Sequence, residues 1–149
     1  ALWLYVRGTT RTRVVLVCGD DVLVVRGWLS PGYWGLPGGG LHRGEDFRKG
    51  ACRELAEETS LQLKAEQLKD LYSTEIGEYG LRFNIIAFWH ELNNKPVPKR
   101  QLYEIVEAAW MPMAELNAKN TNKDTLEILD QWRQMKVRAI SDKIESPTV

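Results

Sequence analysis

Three glutamates, Glu54, Glu57 and Glu58, stand at i, i+3 and i+4 in the run RELAEET. On a helix of 3.6 residues per turn that spacing gathers their carboxylates into one patch. Like charges this close repel by roughly a few tenths of a kcal/mol per pair, so a cation has to offset them. Arg53 can neutralise one carboxylate, which leaves the others for a divalent metal. The patch contains neither His nor Cys, and an all-oxygen donor set suits magnesium, or manganese, better than zinc. The chain's two histidines, His42 and His90, are far apart in sequence. Magnesium is commonly held by a few carboxylates together with substrate phosphates, so the ligand type also points to a phosphate-bearing substrate.

The residues around the patch fit the same chemistry. Gly38, Gly39 and Gly40 precede it, and backbone amides in such a loop can meet phosphate oxygens. Glu45 and Asp46 fall at the expected first turn of the helix, where carboxylates suit the macrodipole. The cluster itself falls in the last turns, where negative charge opposes the dipole and so needs a reason. A plain solvated acidic face is the alternative.

The stretch 26–40, RGWLSPGYWGLPGGG, holds six Gly, two Pro, two Trp and a Tyr, and reads as a long shaped loop. Its aromatics could stack on a base. Trp28 and Tyr33 are the expected substrate contacts, while Trp34 is expected to pack under the glycine loop. Phe83 and Trp89, in a later strand, read as core. Arg26, Arg43 and Arg82 could fork onto phosphate, with Arg43 first because it lies in the loop nearest the acidic helix. His42 beside it reads as exposed.

These groups need elements to position them. Residues 12–26 read as two strands around Gly19-Asp20-Asp21, and VVLVC and VLVV are nearly continuously apolar, so layers cover both faces of their sheet. A helix over about 45–59 places Phe47, Ala51, Leu55 and Cys52 toward that sheet. LKAEQLKDLYSTEIGEY and LRFNIIAFWHEL read as strands joined near residues 77–80, followed by a surface loop over 93–100 and a strand near 106–111. A short turn at 112–116 leads to an amphipathic helix over 124–137 with Leu126, Ile128, Leu129, Trp132 and Met135 inward, then a polar tail from about 141. Strands, helix, strands, helix implies an α+β fold with a mixed sheet.

The 149 residues suit one domain, 1–149, with 44% apolar residues to build its core. Twenty Lys+Arg balance twenty Asp+Glu, so nothing at whole-chain level calls for nucleic acid or a charged membrane. The longest apolar runs are strand-length, far short of the roughly 20 residues of a membrane span. The start, ALWLYV, carries no basic leader and reads as no signal peptide. Its Trp3 and Tyr5 could form a sheet edge at a homodimer interface. Cys18 and Cys52 read as free thiols in a reducing compartment, which points to the cytoplasm.

Gly39, five residues, Glu45, seven residues, then Arg53-Glu54-Leu55-Ala56-Glu57-Glu58-Thr59-Ser60-Leu61 resembles the Nudix box, G-x5-E-x7-R-E-U-x-E-E-x-G-U with U aliphatic, at eight of nine specified positions. The departure is Ser60, where the pattern has Gly, at a helix end that favours a left-handed residue. WGLPGGG before the box and EIVEAAWMPMAEL after it also look like the family's flanks.

The resemblance implies a Nudix-like α/β/α sandwich with a mixed β-sheet between helices. It also implies metal-dependent hydrolysis of a nucleoside diphosphate linked to another moiety. Glu54, Glu57 and Glu58 would hold the metal, with the Gly39 carbonyl as a further ligand, and Glu45 would pair with Arg53 to orient the helix. Glu54 is the first candidate base. Glu104, ahead of the IVEAAW strand, is the candidate that matches relatives using a later glutamate, and Glu107 ranks below it. Tyr79 lies where the family's diadenosine polyphosphate hydrolases often carry a Tyr. The alternatives are a non-catalytic nucleotide-binding module on this fold and an RNA 5′-end pyrophosphatase, for which NNKPVPKR is the only basic stretch.

Overall fold

The apolar runs of the first two strands form the middle of the molecule. The computed structural model describes residues 10–27, 32–78, 80–99 and 105–145. Strand β1 (Thr10–Cys18) and strand β2 (Asp21–Gly27) pair antiparallel across the tight turn at Gly19. Helix α1 (Phe47–Thr59) follows, then β3 (Lys69–Glu78), β4 (Leu81–Glu91), β5 (Ile105–Pro112) and helix α2 (Lys123–Glu145). The sheet order is β3-β4-β1-β2-β5; β1 and β4 are parallel and the other pairs antiparallel. The sheet is therefore mixed, as expected.

Strand periodicity divides the core in two. Val14, Leu16, Leu23 and Phe88 pack with Ala51 and Leu55 of α1 on one face. Val15, Val17, Val22, Val24, Ile85 and Ala87 meet Ile128 and Leu129 of α2 on the other. Both faces of β1 and β2 are covered, which is why their sequences are continuously apolar. The result is a layered α/β/α arrangement of the α+β class.

Several expectations are corrected. Phe47 is 47% exposed, so α1 seats on the sheet through Ala51 and Leu55, with Cys52 alongside. Glu45 and Asp46 precede the helix: Asp46 is the N-cap, and its side chain accepts the Lys49 N–H. The stretch read as a strand from residue 63 opens instead with a 3-10 turn, Ala65–Gln67. Helix α2 runs on to Glu145 through residues expected to fray, with Val137, Ile140 and Ile144 exposed. Trp34, expected under the glycine loop, is buried in the α2-side core, its backbone N–H donating to Asn120 O. Cys18 and Cys52 are free thiols, as expected. Among the described residues no helix is long and apolar enough to cross a membrane. The N-terminal segment with Trp3 and Tyr5 lies outside the described residues.

Candidate active site

Arg53 organises the acidic helix, and it does more than neutralise one carboxylate. Its Nε and Nη2 donate to the two Glu45 oxygens at 2.8 and 3.0 Å, a bidentate fork. Its Nη1 lies 3.1 Å from both Glu54 Oε1 and Glu57 Oε2, and its Nη2 also reaches the Gly40 carbonyl. Glu45 additionally accepts the His42 N–H at 2.9 Å. The Arg53 hydrogen bond holds the Glu45 carboxyl down to about 2, and the pairing raises the arginine in turn. The Glu45–Arg53 pair expected from the sequence is present, and it ties the loop before the helix to the helix itself.

Glu58 faces inward. It is 8% exposed, and its Oε2 accepts the Gly38 N–H at 3.1 Å. Burial, reinforced by the charge of Glu54, pushes its carboxyl up to about 8; the Gly38 amide and the charge of Arg13 oppose this. Burial also raises Glu54, against the opposing charge of Arg53. Three carboxylates therefore share one guanidinium while Glu58 stands apart, and Glu54 and Glu58 are held where ionisation is costly.

The glycines serve by close approach. A Cβ on Gly38, whose φ is 151°, would stand 2.0 Å from Thr12 O, and one on Gly39 would stand 2.7 Å from the Glu54 carboxyl carbon. Only backbone fits between β1 and α1 here. The Gly39 carbonyl accepts the Thr12 N–H at 2.9 Å, and the Gly38 amide, expected to be free for phosphate, is taken by Glu58.

A divalent cation suits this donor set. All its donors are hard oxygens, the negative charge exceeds the positive, and the carboxylates are largely withdrawn from water. Among the described residues no three His, Cys, Asp or Glu side chains are gathered around one point. The reason is visible: Glu54 and Glu57 bend to Arg53 while Glu58 bends to Gly38.

The other expected residues divide. Tyr33 is 44% exposed and lines a cleft of about 500 Å³ with Ala118, Thr121, Asn122, Lys123 and Leu126. Arg26 is not free: it pairs with Glu107 and stacks over the Trp34 ring at 4.3 Å. Arg43 is exposed in the turn before the helix, and Arg82, paired with Glu75, is exposed on β4. Phe83 is core. Trp28, Tyr79 and Glu104 lie outside the described residues.

Sequence reasoning missed Thr12 and Arg13. Thr12 is fully buried and fixes Gly39, and Arg13 pairs with Asp124 at 3.3 Å while its charge reaches Glu58. Their signal was two polar residues just ahead of a continuously apolar strand.

The family described as NUDIX domain matches residues 8–132. No curated protein matches the chain by sequence. Among solved structures, the NUDIX domain of Shewanella oneidensis NrtR complexed with ADP ribose superposes with a TM-score of 0.75 at 20% identity, covering 85% of this chain and 86% of that one. A MutT NUDIX hydrolase from Burkholderia pseudomallei gives 0.73 at 20% identity, covering 83% and 96%. A C. elegans Ap4A hydrolase in a binary complex gives 0.72 at 18% identity, covering 87% and 98%. At these identities the likeness establishes the fold.

Proposed function

The chain belongs to the Nudix hydrolase family and is a Nudix-type pyrophosphohydrolase, and from that premise we propose that it cleaves a nucleoside diphosphate linked to another moiety with magnesium, or manganese, as the metal. The observation that carries this reading is the buried excess of carboxylate on α1, with Glu58 pushed up to about 8 and Glu54 raised, packed against the backbone of Gly38 and Gly39.

Glu54, Glu57 and Glu58 would hold the metal with the Gly39 carbonyl as a further ligand, in place of the long 3.4 Å bond that it accepts from the Thr12 hydroxyl. Bound there, such an ion supplies charge neutralisation at phosphate and acidifies a bound water. The chain's own residues do the rest. Glu54 accepts the proton of the attacking water, a role its raised affinity for a proton suits. Glu45 and Arg53 fix the helix so that Glu54 stands against Gly39, with Glu57 held on the same guanidinium. Arg43 meets a phosphate and Tyr33 offers its ring to the nucleoside in the cleft it lines. Glu104 and Trp28 stay in the proposal as second base and substrate contact. Arg26 leaves the phosphate role, because Glu107 and Trp34 already occupy its guanidinium.

The related structures with ADP ribose and the Ap4A hydrolase support a small nucleotide-type substrate. One 149-residue unit working in the cytoplasm remains part of the proposal. The test is product analysis with nucleoside triphosphates, nucleotide sugars, ADP-ribose, dinucleoside polyphosphates and triphosphorylated RNA, with magnesium and with chelator. Metal-dependent release of a nucleoside phosphate from one small-molecule class is the expected result. Preference for the RNA would move the reading to the 5′-end pyrophosphatase, and silence from folded, metal-binding protein would move it to the binding module.

A further inference from the structure

Ser60 is the box's one departure from the family pattern, and the structure gives its hydroxyl a partner that glycine could not supply. Ser60 caps α1 with φ 67° and ψ 3°, and its N–H closes on Ala56 O at 2.9 Å. It is the single non-glycine residue with positive φ among the described residues. Its Oγ donates to Lys99 O at 2.7 Å, and the Lys99 N–H donates back to Thr59 O at 2.8 Å. Two bonds thus clasp the end of the segment 92–99 to the last turn of α1.

Elsewhere the segment is bonded to the sheet, Leu92 N–H to Val17 O, the Lys95 ammonium to Asp21 and Trp110 Nε1 to Pro96 O, and Leu92 packs against the α1-side core. The clasp is its hydrogen-bonded link to the last turn of the helix. Thr59 carries one of the last helical carbonyls, which have no partner inside a helix, and the Lys99 amide satisfies it. Glu58 and Glu57 are one and two residues before Thr59 on the same turn. A strained residue kept beside a functional site is expected to be held by its surroundings, and here the holding bond runs to a second segment.

We propose that Ser60 is a positioning residue: its hydroxyl locks segment 92–99 onto the end of α1 and so fixes the direction in which Glu57 and Glu58 point. The proposal rests on the metal-dependent hydrolase reading above. Its prediction is that stability and activity separate. Ser60→Gly relieves the left-handed strain and deletes the hydroxyl half of the clasp, leaving the Lys99 N–H to Thr59 O alone, whereas Ser60→Ala deletes the same bond and keeps the strain.

The experiment compares wild type, Ser60→Gly and Ser60→Ala by thermal midpoint, exchange of the Lys99 amide hydrogen, Mn²⁺ affinity by titration, and kcat and KM on the substrate found for the wild type. Ser60→Gly should melt at or above the wild-type temperature, exchange the Lys99 amide faster, and lose about tenfold in Mn²⁺ affinity and kcat, as supporting contacts to metal ligands typically do. Its KM should stay within about twofold if only ligand direction changes. Ser60→Ala should show the same losses at a lower midpoint. Faster Lys99 exchange with unchanged metal affinity and kcat would overturn the proposal by making the clasp a fold contact only, and so would activity falling only in step with the midpoint. A wild type that shows no metal-dependent hydrolysis would instead remove the underlying reading, whatever the variants do.

Discussion

At the scale of single residues, the site is governed by how one guanidinium is divided among several carboxylates. Arg53 gives its best geometry, the two-bond fork, to Glu45 and one shared nitrogen to Glu54 and Glu57, while Glu58 receives none of it. The Glu45 fork has a measurable signature. Its carboxyl titrates at about 2 in the fold against an ordinary value of 4.5, so the unfolded chain binds the proton first as pH falls. The stability it contributes is full above pH 4.5 and disappears as pH drops toward 2. Urea unfolding across that range should show a steeper acid loss for wild type than for Glu45→Gln; equal slopes would mean the fork contributes nothing. The pairing of Glu45 with Arg53 was legible only through the resemblance to the Nudix box, which implies it. The capture of the Gly38 amide by Glu58 was not, because it depends on β1 bringing Thr12 beneath the glycines, a contact 27 residues away in sequence.

At the scale of elements, α1 is held at both ends and along one face. Asp46 caps its start, Ala51 and Leu55 bury its face, and Ser60 closes its end. The left-handed conformation at Ser60 costs about 1–2 kcal/mol, and a hydrogen bond such as that to Lys99 returns about 0.5–1.5 kcal/mol, so the two nearly cancel. The seating of the helix predicts a contrast. Leu55→Ala should cost about 2–5 kcal/mol, because the side chain is fully buried between α1 and the sheet. Phe47→Ala should cost no more than about 1 kcal/mol, since half of its surface is already in water. Comparable losses in denaturant unfolding would contradict the seating described. Periodicity alone placed Phe47 inward because residues 47, 51 and 55 share a face; it could not show that the first turn of the helix leaves Phe47 half in water. The same limit hid the continuation of α2, whose Val137, Ile140 and Ile144 keep helical spacing but pack on nothing described.

At the scale of the whole molecule, a sheet covered on both faces places the loop before α1 over β1, so that a short acidic helix and a glycine loop meet against a rigid strand. The covered faces were legible in VVLVC and VLVV, and the mixed sheet followed from the order of elements. The parallel pairing of β1 with β4 was not, because nothing local to either strand encodes a partner some 70 residues distant. What the assembly is for turns on whether those carboxylates hold a divalent ion against phosphate. The most direct measurement is pyrophosphate-bond hydrolysis by wild type and by Glu57→Gln/Glu58→Gln, with magnesium and with chelator, alongside a thermal midpoint for each. The account predicts hydrolysis that needs magnesium and falls by about a hundredfold or more in the folded double variant. Hydrolysis that survives the double substitution, or that proceeds equally in chelator, would contradict it.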